Sequence, residues 1–154
     1  MLKKTVMMVL AVVAIGTFAG CGSSDSSEKT RLSQAEATEL GTQLINGYWN
    51  TLSCDGSDSI AYESLLDPAF QSVTATGPKD KPTILALLAS VCYSSSEVKD
   101  IVVTSAPDTL IVAYKARGTV NGVQGPFQQL VNVFVKNGND WDGVLSANAG
   151  SAPS

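Results

Sequence analysis

Apolar residues in the first half of the chain recur every three or four positions, which predicts helices. Ser33-Gln34-Ala35-Glu36 is a capping-box sequence and marks the start of the first helix. Asp55-Gly56, just after Cys54, marks its end. The apolar positions of this helix are Ala37, Leu40, Leu44, Ile45, Tyr48, Trp49 and Leu52.

Two shorter helices follow the first one. Ser57–Leu66 has helical spacing and ends before Asp67-Pro68. Asp80 can cap a third helix, in which Pro82 is tolerated in the first turn. Between these helices, 70–76 alternates in part, which fits either a short strand or an irregular passage, and Gly77-Pro78 predicts a turn.

After Ser96 the apolar period changes from 3.6 to 2, which predicts strands. Asn121-Gly122 and Asn137-Gly138 are strong turn sequences, and consecutive strands joined by such turns form an antiparallel meander. The order of helices first and strands afterwards predicts an α+β fold, with the helices over one face of a curved sheet. The predicted strands are Val98–Thr104, Thr109–Val120, Phe127–Lys136 and Trp141–Asn148.

The N-terminus has the composition of an export signal. Lys3 and Lys4 precede the unbroken apolar run Val6–Ile15, which is shorter than the roughly 20 residues of a transmembrane helix. A buried core helix is the alternative, but the polar sequence that follows gives it nothing to pack against. The signal would occupy residues 1–20.

The end of that signal resembles the lipobox of bacterial lipoproteins. Ala19, Gly20 and Cys21 match the pattern, whereas Phe18 stands where an aliphatic residue is usual. The resemblance implies cleavage between Gly20 and Cys21, diacylation of Cys21, and anchoring on the outer side of the cell membrane. Residues 21–31 are Ser-rich and would form a flexible tether. Ordinary secretion with cleavage nearby is the alternative.

The cysteine count fits this interpretation. Three cysteines are an odd number for an exported chain, and lipidation of Cys21 leaves Cys54 and Cys92 as a pair. In an oxidising compartment we expect this pair to form a disulfide, which would stabilise the fold by roughly 2–4 kcal/mol. Two buried thiols are the alternative.

Composition excludes several kinds of chemistry. The chain has 154 residues, enough for one domain, and no histidine, which rules out a Ser-His-Asp triad, a Cys-His dyad and a His-based zinc site. Fourteen acidic residues against ten basic ones argue against nucleic acid as a main partner. No phosphate loop, metal-ligand spacing or redox Cys-x-x-Cys appears, so we expect neither cofactor nor metal.

The run Leu65-Leu66-Asp67-Pro68-Ala69-Phe70-Gln71-Ser72, followed by Thr76-Gly77-Pro78-Lys79-Asp80-Lys81, resembles the SnoaL-like members of the nuclear transport factor 2-like superfamily. The segment from Val131 to Trp141 is similar to the last two strands of those proteins. The resemblance covers about 32–148 and leaves 149–154 as a frayed tail. It implies a cone of helices against a strongly bent antiparallel sheet, with a pocket between them. Exported actinobacterial lipoproteins include such domains.

The resemblance implies many possible roles, because members of the superfamily include isomerases, cyclases, dehydratases and binding proteins, often dimeric through the open sheet face. An isomerase would need a pocket carboxylate beside a tyrosine. The tyrosines are Tyr48, Tyr62, Tyr93 and Tyr114, while the carboxylates Asp100, Asp108, Asp140 and Asp142 fall at strand ends and turns, where solvation is favoured. We therefore assign no catalytic residue.

The leading hypothesis is a non-catalytic binding domain for a small apolar ligand or an envelope protein. Asn132 and Gln129 are polar groups on apolar strands and could orient a ligand, or they could be edge or interface residues. The alternatives are a SnoaL-like isomerase or cyclase and a structural dimerisation module. The candidate pocket residues are Tyr48, Trp49, Tyr62, Phe70, Tyr114, Phe127, Gln129, Asn132 and Trp141.

Overall fold

The computed structural model describes residues 31–55 and 59–151. The predicted signal, the lipobox cysteine Cys21 and most of the tether lie outside these residues. The described part has three helices: α1 (Gln34–Asn50), α2 (Ser59–Ser64) and α3 (Lys81–Leu88).

Both predicted helix caps are present. The hydroxyl of Ser33 accepts from the backbone N–H of Glu36, and the Glu36 carboxylate accepts from the Ser33 N–H at 2.9 Å. Hydrogen bonds from Ser33 lower the pKa of Glu36. Asp80 accepts from the backbone N–H of Thr83 at 3.1 Å and caps α3, where the proline stands in the first turn. Local sequence therefore fixes where both helices begin.

The described strands are β1 (Leu66–Thr74), β2 (Gly77–Asp80), β3 (Ser95–Ala106), β4 (Thr109–Val120), β5 (Val123–Gln124), β6 (Gln128–Asn137) and β7 (Asp140–Ser151). They form one seven-stranded sheet in the order β2-β1-β7-β6-β4-β3, with β5 paired to β4. The pairs β3–β4, β4–β6 and β6–β7 are antiparallel, which confirms the predicted meander, whereas β1 pairs with β7 in parallel.

Several predicted boundaries were wrong. α1 ends at Asn50 and not at Asp55-Gly56, because the chain leaves the helix to pair with Tyr93. Leu66 begins β1 instead of ending α2, because its buried side chain packs where Gly143 of β7 leaves room beside it. Gly77 begins β2, and the turn lies just before it, at 75–76. β7 continues through 149–151, which were predicted to be frayed, and Ser151 pairs with Gln128.

Several register shifts interrupt the strand pairing and bend the sheet. The β3–β4 register shifts between Lys99 and Val102, where Asp100 has φ 53°, and the β6–β7 register shifts between Val133 and Phe134. Such bulges bend strands and increase twist. The result is the predicted α+β arrangement, with the helices packed on a curled sheet.

Alternation along β4 divides the sheet into two faces. Leu110, Val112, Tyr114 and Ala116 are buried on the inner face, toward the helices. We call the Leu110–Val112 half of this face the packed end. There α1 comes so close to the sheet that a Cβ on Gly41 would lie 2.7 Å from Val103. The half around Tyr114 and Ala116 is the open end.

Candidate ligand-binding cavity

The open end encloses a cavity of about 540 Å³. That volume lies within the usual range for small-molecule sites. Its described wall combines rings from the helices with side chains from β4, β6 and β7. The lining includes Tyr48, Trp49, Leu52, Tyr62, Ile84, Leu88, Tyr93, Tyr114, Ala116, Arg117, Leu130 and Ser146.

All four tyrosines of the chain line this cavity. Tyr48 comes from the last turn of α1, Tyr62 from α2, Tyr93 from the segment before β3, and Tyr114 from β4. They are up to 66 positions apart in sequence, and the helices above the curled sheet bring them together. The described wall therefore carries five aromatic rings, those of the tyrosines and of Trp49, with hydroxyl groups distributed among them.

The hydroxyls are linked in short hydrogen-bonded chains. Tyr48 and Tyr62 share a hydrogen bond between their hydroxyls, and their ring centroids are 4.9 Å apart. Tyr114 donates to Oδ1 of Asn132 at 2.9 Å, while Nε1 of Trp49 approaches the Tyr114 hydroxyl at 3.4 Å. These contacts fix the orientation of the polar groups in an otherwise apolar wall.

Burial keeps the tyrosines neutral. Desolvation raises the pKa of Tyr48, Tyr62 and Tyr114 well above the usual value, and it raises the pKa of Tyr93 as well. At physiological pH each hydroxyl is therefore protonated. Each is a poor base. The Tyr114 proton is already donated to Asn132, so donation to a ligand is left to Tyr93 and to whichever of Tyr48 and Tyr62 accepts in their shared hydrogen bond.

Asn132 lies behind the tyrosines. Its side chain is 1% exposed, and Nδ2 has no hydrogen-bond acceptor within reach in the described part of the chain. Its Oδ1 holds the Tyr114 hydroxyl, and its neighbour across the β6–β7 pair is the cavity residue Ser146. Asn132 therefore supports the wall from behind and does not line the cavity.

Acidic side chains lie elsewhere. Among the described residues, none with a carboxylate lines the cavity. Asp100 is on a bulge, where a hydrogen bond from Lys115 lowers its pKa, Asp108 is in the β3–β4 turn, and Asp140 and Asp142 start β7. The described wall thus lacks the carboxylate that the isomerase hypothesis requires beside a tyrosine.

Arg117 contributes the charged group of the described wall. Its guanidinium pairs with Glu97 at 2.6 Å and lies over the ring of Phe127, 4.3 Å from the centroid. Both the ion pair and the ring contact hold the guanidinium in place. Its charge is already matched by that of Glu97.

The structure brings together four of the nine candidate pocket residues, namely Tyr48, Trp49, Tyr62 and Tyr114. The other five do not line the cavity. Gln129 is exposed on the outer face, and Phe127 packs beneath the cations of Lys99 and Arg117. Phe70 is a buried core residue, Trp141 packs against the core, and Asn132 lies behind the wall.

Sequence reasoning missed several lining residues. Ile84 and Leu88 of α3 and the aromatic residue Tyr93 line the cavity but were not assigned to the pocket. Helical spacing shows which side of α3 is apolar. Helical spacing does not distinguish an apolar side that covers a cavity from one that packs against a filled core. Ser146 carried no signal of its own.

Cys54 and Cys92 form the predicted disulfide, with their Cα atoms 4.9 Å apart. The linked segments also pair through their backbones. Tyr93 N–H donates to the carbonyl of Leu52, and Cys54 N–H donates to that of Tyr93, both at 2.9 Å. The disulfide therefore joins the end of α1 to the segment that carries Tyr93.

The described residues contain no group of three side chains suited to holding a metal ion. Within the same residues, no helix combines the length and hydrophobicity needed to cross a membrane.

Searches by sequence find no matching family model and no matching curated protein. Solved structures do match. An NTF2-like protein from Cytophaga hutchinsonii aligns with a TM-score of 0.65 at 14% identity, covering 77% of this chain and 99% of that one. An NTF2-like protein of unknown function from Pseudomonas putida gives 0.63 at 17% identity, covering 79% and 89%.

A third similar structure is an NTF2-like protein of unknown function in nutrient uptake from Rhodospirillum rubrum. It has a TM-score of 0.60 at 20% identity and covers 74% of this chain and 98% of that one. At these identities the likeness concerns the fold. The chain has the nuclear transport factor 2-like fold that the sequence resemblance predicted.

Proposed function

We propose that the domain binds a small, neutral, largely apolar molecule that carries a hydrogen-bonding oxygen. The observation that carries this proposal is the cavity of about 540 Å³, whose described wall is rich in aromatic rings and protonated hydroxyls. The apolar part of the ligand would be stabilised by leaving water, and its oxygen would contact hydroxyls that are already oriented.

The charge of the wall favours a neutral ligand. A cation entering this desolvated site would find no carboxylate among the described lining residues. For an anion, the described lining offers one cationic residue, Arg117, and its guanidinium is already paired with Glu97. A neutral ligand avoids both desolvation costs.

The test is a titration with N-phenylnaphthylamine, a neutral fluorescent probe. The chain has two tryptophans, and of these Trp49 lines the cavity. A Trp141→Phe background therefore leaves Trp49 as the reporter. We expect probe binding to quench Trp49 fluorescence with a saturating dependence on concentration.

A matched pair of variants locates the binding. Ala116 is 1% exposed and lines the cavity, so Ala116→Leu should fill part of it and weaken probe binding at least about fivefold. Ala35→Leu makes the same exchange on the exposed start of α1 and should leave binding unchanged. Equal affinity in both variants, or no saturable binding at all, would refute the proposal.

We further propose that the protein is a cell-envelope lipoprotein anchored through Cys21 on the extracytoplasmic face. The support is the sequence: a basic start, the apolar run and the lipobox-like end of the signal. Replacing Cys21 with Ser should move the protein from the membrane fraction to the soluble fraction. Unchanged membrane retention would contradict the proposed anchor.

Self-association through the outer sheet face is a second candidate function. One cross-strand row on that face is entirely aliphatic. Within it, Val102 is 64% exposed and Val73 is 42% exposed. Exposed apolar surface of this kind favours an interface. The row consists of Val73, Ala147, Val131, Ala113 and Val102.

Sedimentation tests this second candidate. We expect a homodimer, and we expect Ile111→Lys, beside the aliphatic row, to convert it to a monomer. Ile111 is 43% exposed, so its replacement should not damage the core. A monomeric wild-type protein would exclude this role.

A further inference from the structure

Tyr93 connects the helical layer to the sheet at the cavity wall. On the helical side its backbone pairs with Leu52 and Cys54, and its ring lies 5.3 Å from that of Trp49. On the sheet side its ring covers Gly118 so closely that a Cβ there would lie 2.1 Å from it. Tyr93 thus closes the wall between α1 and β4.

The attachments of Tyr93 differ in strength on the two sides. The next residue, Ser94, donates from both its N–H and its hydroxyl to the Thr119 carbonyl of β4, at 2.9 and 3.2 Å. Toward α1, the Cys54–Cys92 disulfide adds a covalent link to two backbone hydrogen bonds. If the disulfide is cut, the hydrogen bonds of Ser94 keep Tyr93 at the sheet, while the covalent link to the end of α1 is lost and two backbone hydrogen bonds remain there.

The disulfide is also accessible. Cys54 is exposed and Cys92 is half-buried, so a thiolate can approach a sulfur atom from solvent. A dithiol reductant would break the S–S bond with its electron pair and supply two protons. The products would be two cysteine thiols and the oxidised reductant.

We propose that this disulfide controls ligand binding, because it holds the Leu52 and Tyr93 sides of the cavity wall together when oxidised and releases them when a dithiol reduces it. The inference rests on the proposed function of the cavity. The released wall loses aromatic contacts with the ligand and opens an additional way out. Reduction should therefore act mainly on the rate of ligand dissociation.

The first test measures N-phenylnaphthylamine binding to the purified full chain before and after reduction with dithiothreitol. We expect binding to become about three- to tenfold weaker on reduction, the equivalent of losing one aromatic contact, and to recover on reoxidation. Unchanged affinity after complete reduction would overturn the inference. Loss of the far-UV circular dichroism signal on reduction would also overturn it, because the disulfide would then support the whole fold.

The second test keeps the disulfide intact. Gly118→Ala places a methyl group where the Tyr93 ring lies and should weaken binding as reduction does. Gly47→Ala is the matched control, because a Cβ at Gly47 meets nothing within 4 Å. Wild-type affinity in oxidised Gly118→Ala would refute the role of Tyr93. Absence of probe binding to the oxidised wild-type protein would instead refute the proposed function itself.

Discussion

The two ends of the inner sheet face show how one sequence pattern produces two environments. Along β4, Leu110 and Val112 at the packed end and Tyr114 and Ala116 at the open end are all buried. At the packed end, a glycine lets α1 approach the sheet closely. At the open end, large rings hold the helical layer away from the sheet and leave a cavity. Period-2 alternation predicts which residues of a strand face the helices. It does not predict how far the helices lie from the sheet.

Replacing one leucine by alanine at each end should show the difference between the two environments most clearly. Leu110→Ala should lower the free energy of unfolding by about 2–5 kcal/mol, because it leaves a hole in packed core. Leu130→Ala should lower the free energy of unfolding by less than Leu110→Ala does, because Leu130 is only half-buried and lines the existing cavity. Urea denaturation measures both. A larger loss for Leu130→Ala would contradict the division into ends.

Adding a methyl group should have opposite effects at two positions of α1. Gly41→Ala would place Cβ 2.7 Å from the stiff Val103 side chain and should cost about 1–3 kcal/mol of unfolding free energy. Gly47→Ala meets open space and should stabilise by roughly 0.5–1 kcal/mol. Thermal unfolding of both variants checks the signs. Equal effects would mean that α1 is not closer to the sheet at the packed end.

Alkaline pH should act on the open end, where the buried tyrosines lie. Their pKa values are raised in the folded state, so each tyrosine contributes its full stabilisation below about pH 10. As the pH rises further, the free energy of unfolding falls by about 1.4 kcal/mol per pH unit for each tyrosine. Tyr48→Phe should make this pH dependence less steep by the contribution of one tyrosine. Urea denaturation between about pH 9 and pH 11 tests it. An unchanged slope would contradict burial of the Tyr48 hydroxyl.

Removing the N-cap of α1 should affect stability alone. Ser33→Ala should lower the unfolding free energy by about 1 kcal/mol, since the Glu36 N–H loses its acceptor. Because this cap lies at the packed end, probe affinity should stay within about twofold of wild type. A greater change in affinity would show that the two ends are coupled.

Local signals allowed much of the fold to be predicted. The capping residues fixed the starts of α1 and α3, and the alternation from Thr109 to Val120 predicted β4 with its bounds. Leu66 was placed in the wrong element because a short apolar run fits either a helix or a strand. The parallel β1–β7 pair joins segments distant in sequence, and no turn signal announces such a pair.

The site was harder to predict for the same reason. Aromatic residues at helical spacing indicated which side of α1 is buried, and Tyr48 and Trp49 follow from that. Phe127 and Gln129 were wrongly placed because they precede or begin β6, where nothing in the sequence shows on which side of the sheet a side chain falls. The position of Tyr93 in the cavity wall depends on the disulfide and on contact with Gly118, and only the folded chain brings these groups together.

The most direct test of the account is methyl NMR of the protein titrated with N-phenylnaphthylamine. We expect saturable shifts of Ile84 and Leu130, which line the cavity, and little change for Leu110 and Val112 at the packed end. Shifts confined to Val102 and Val131 on the outer face, or no saturable shift at all, would contradict the claim that the open end binds the ligand.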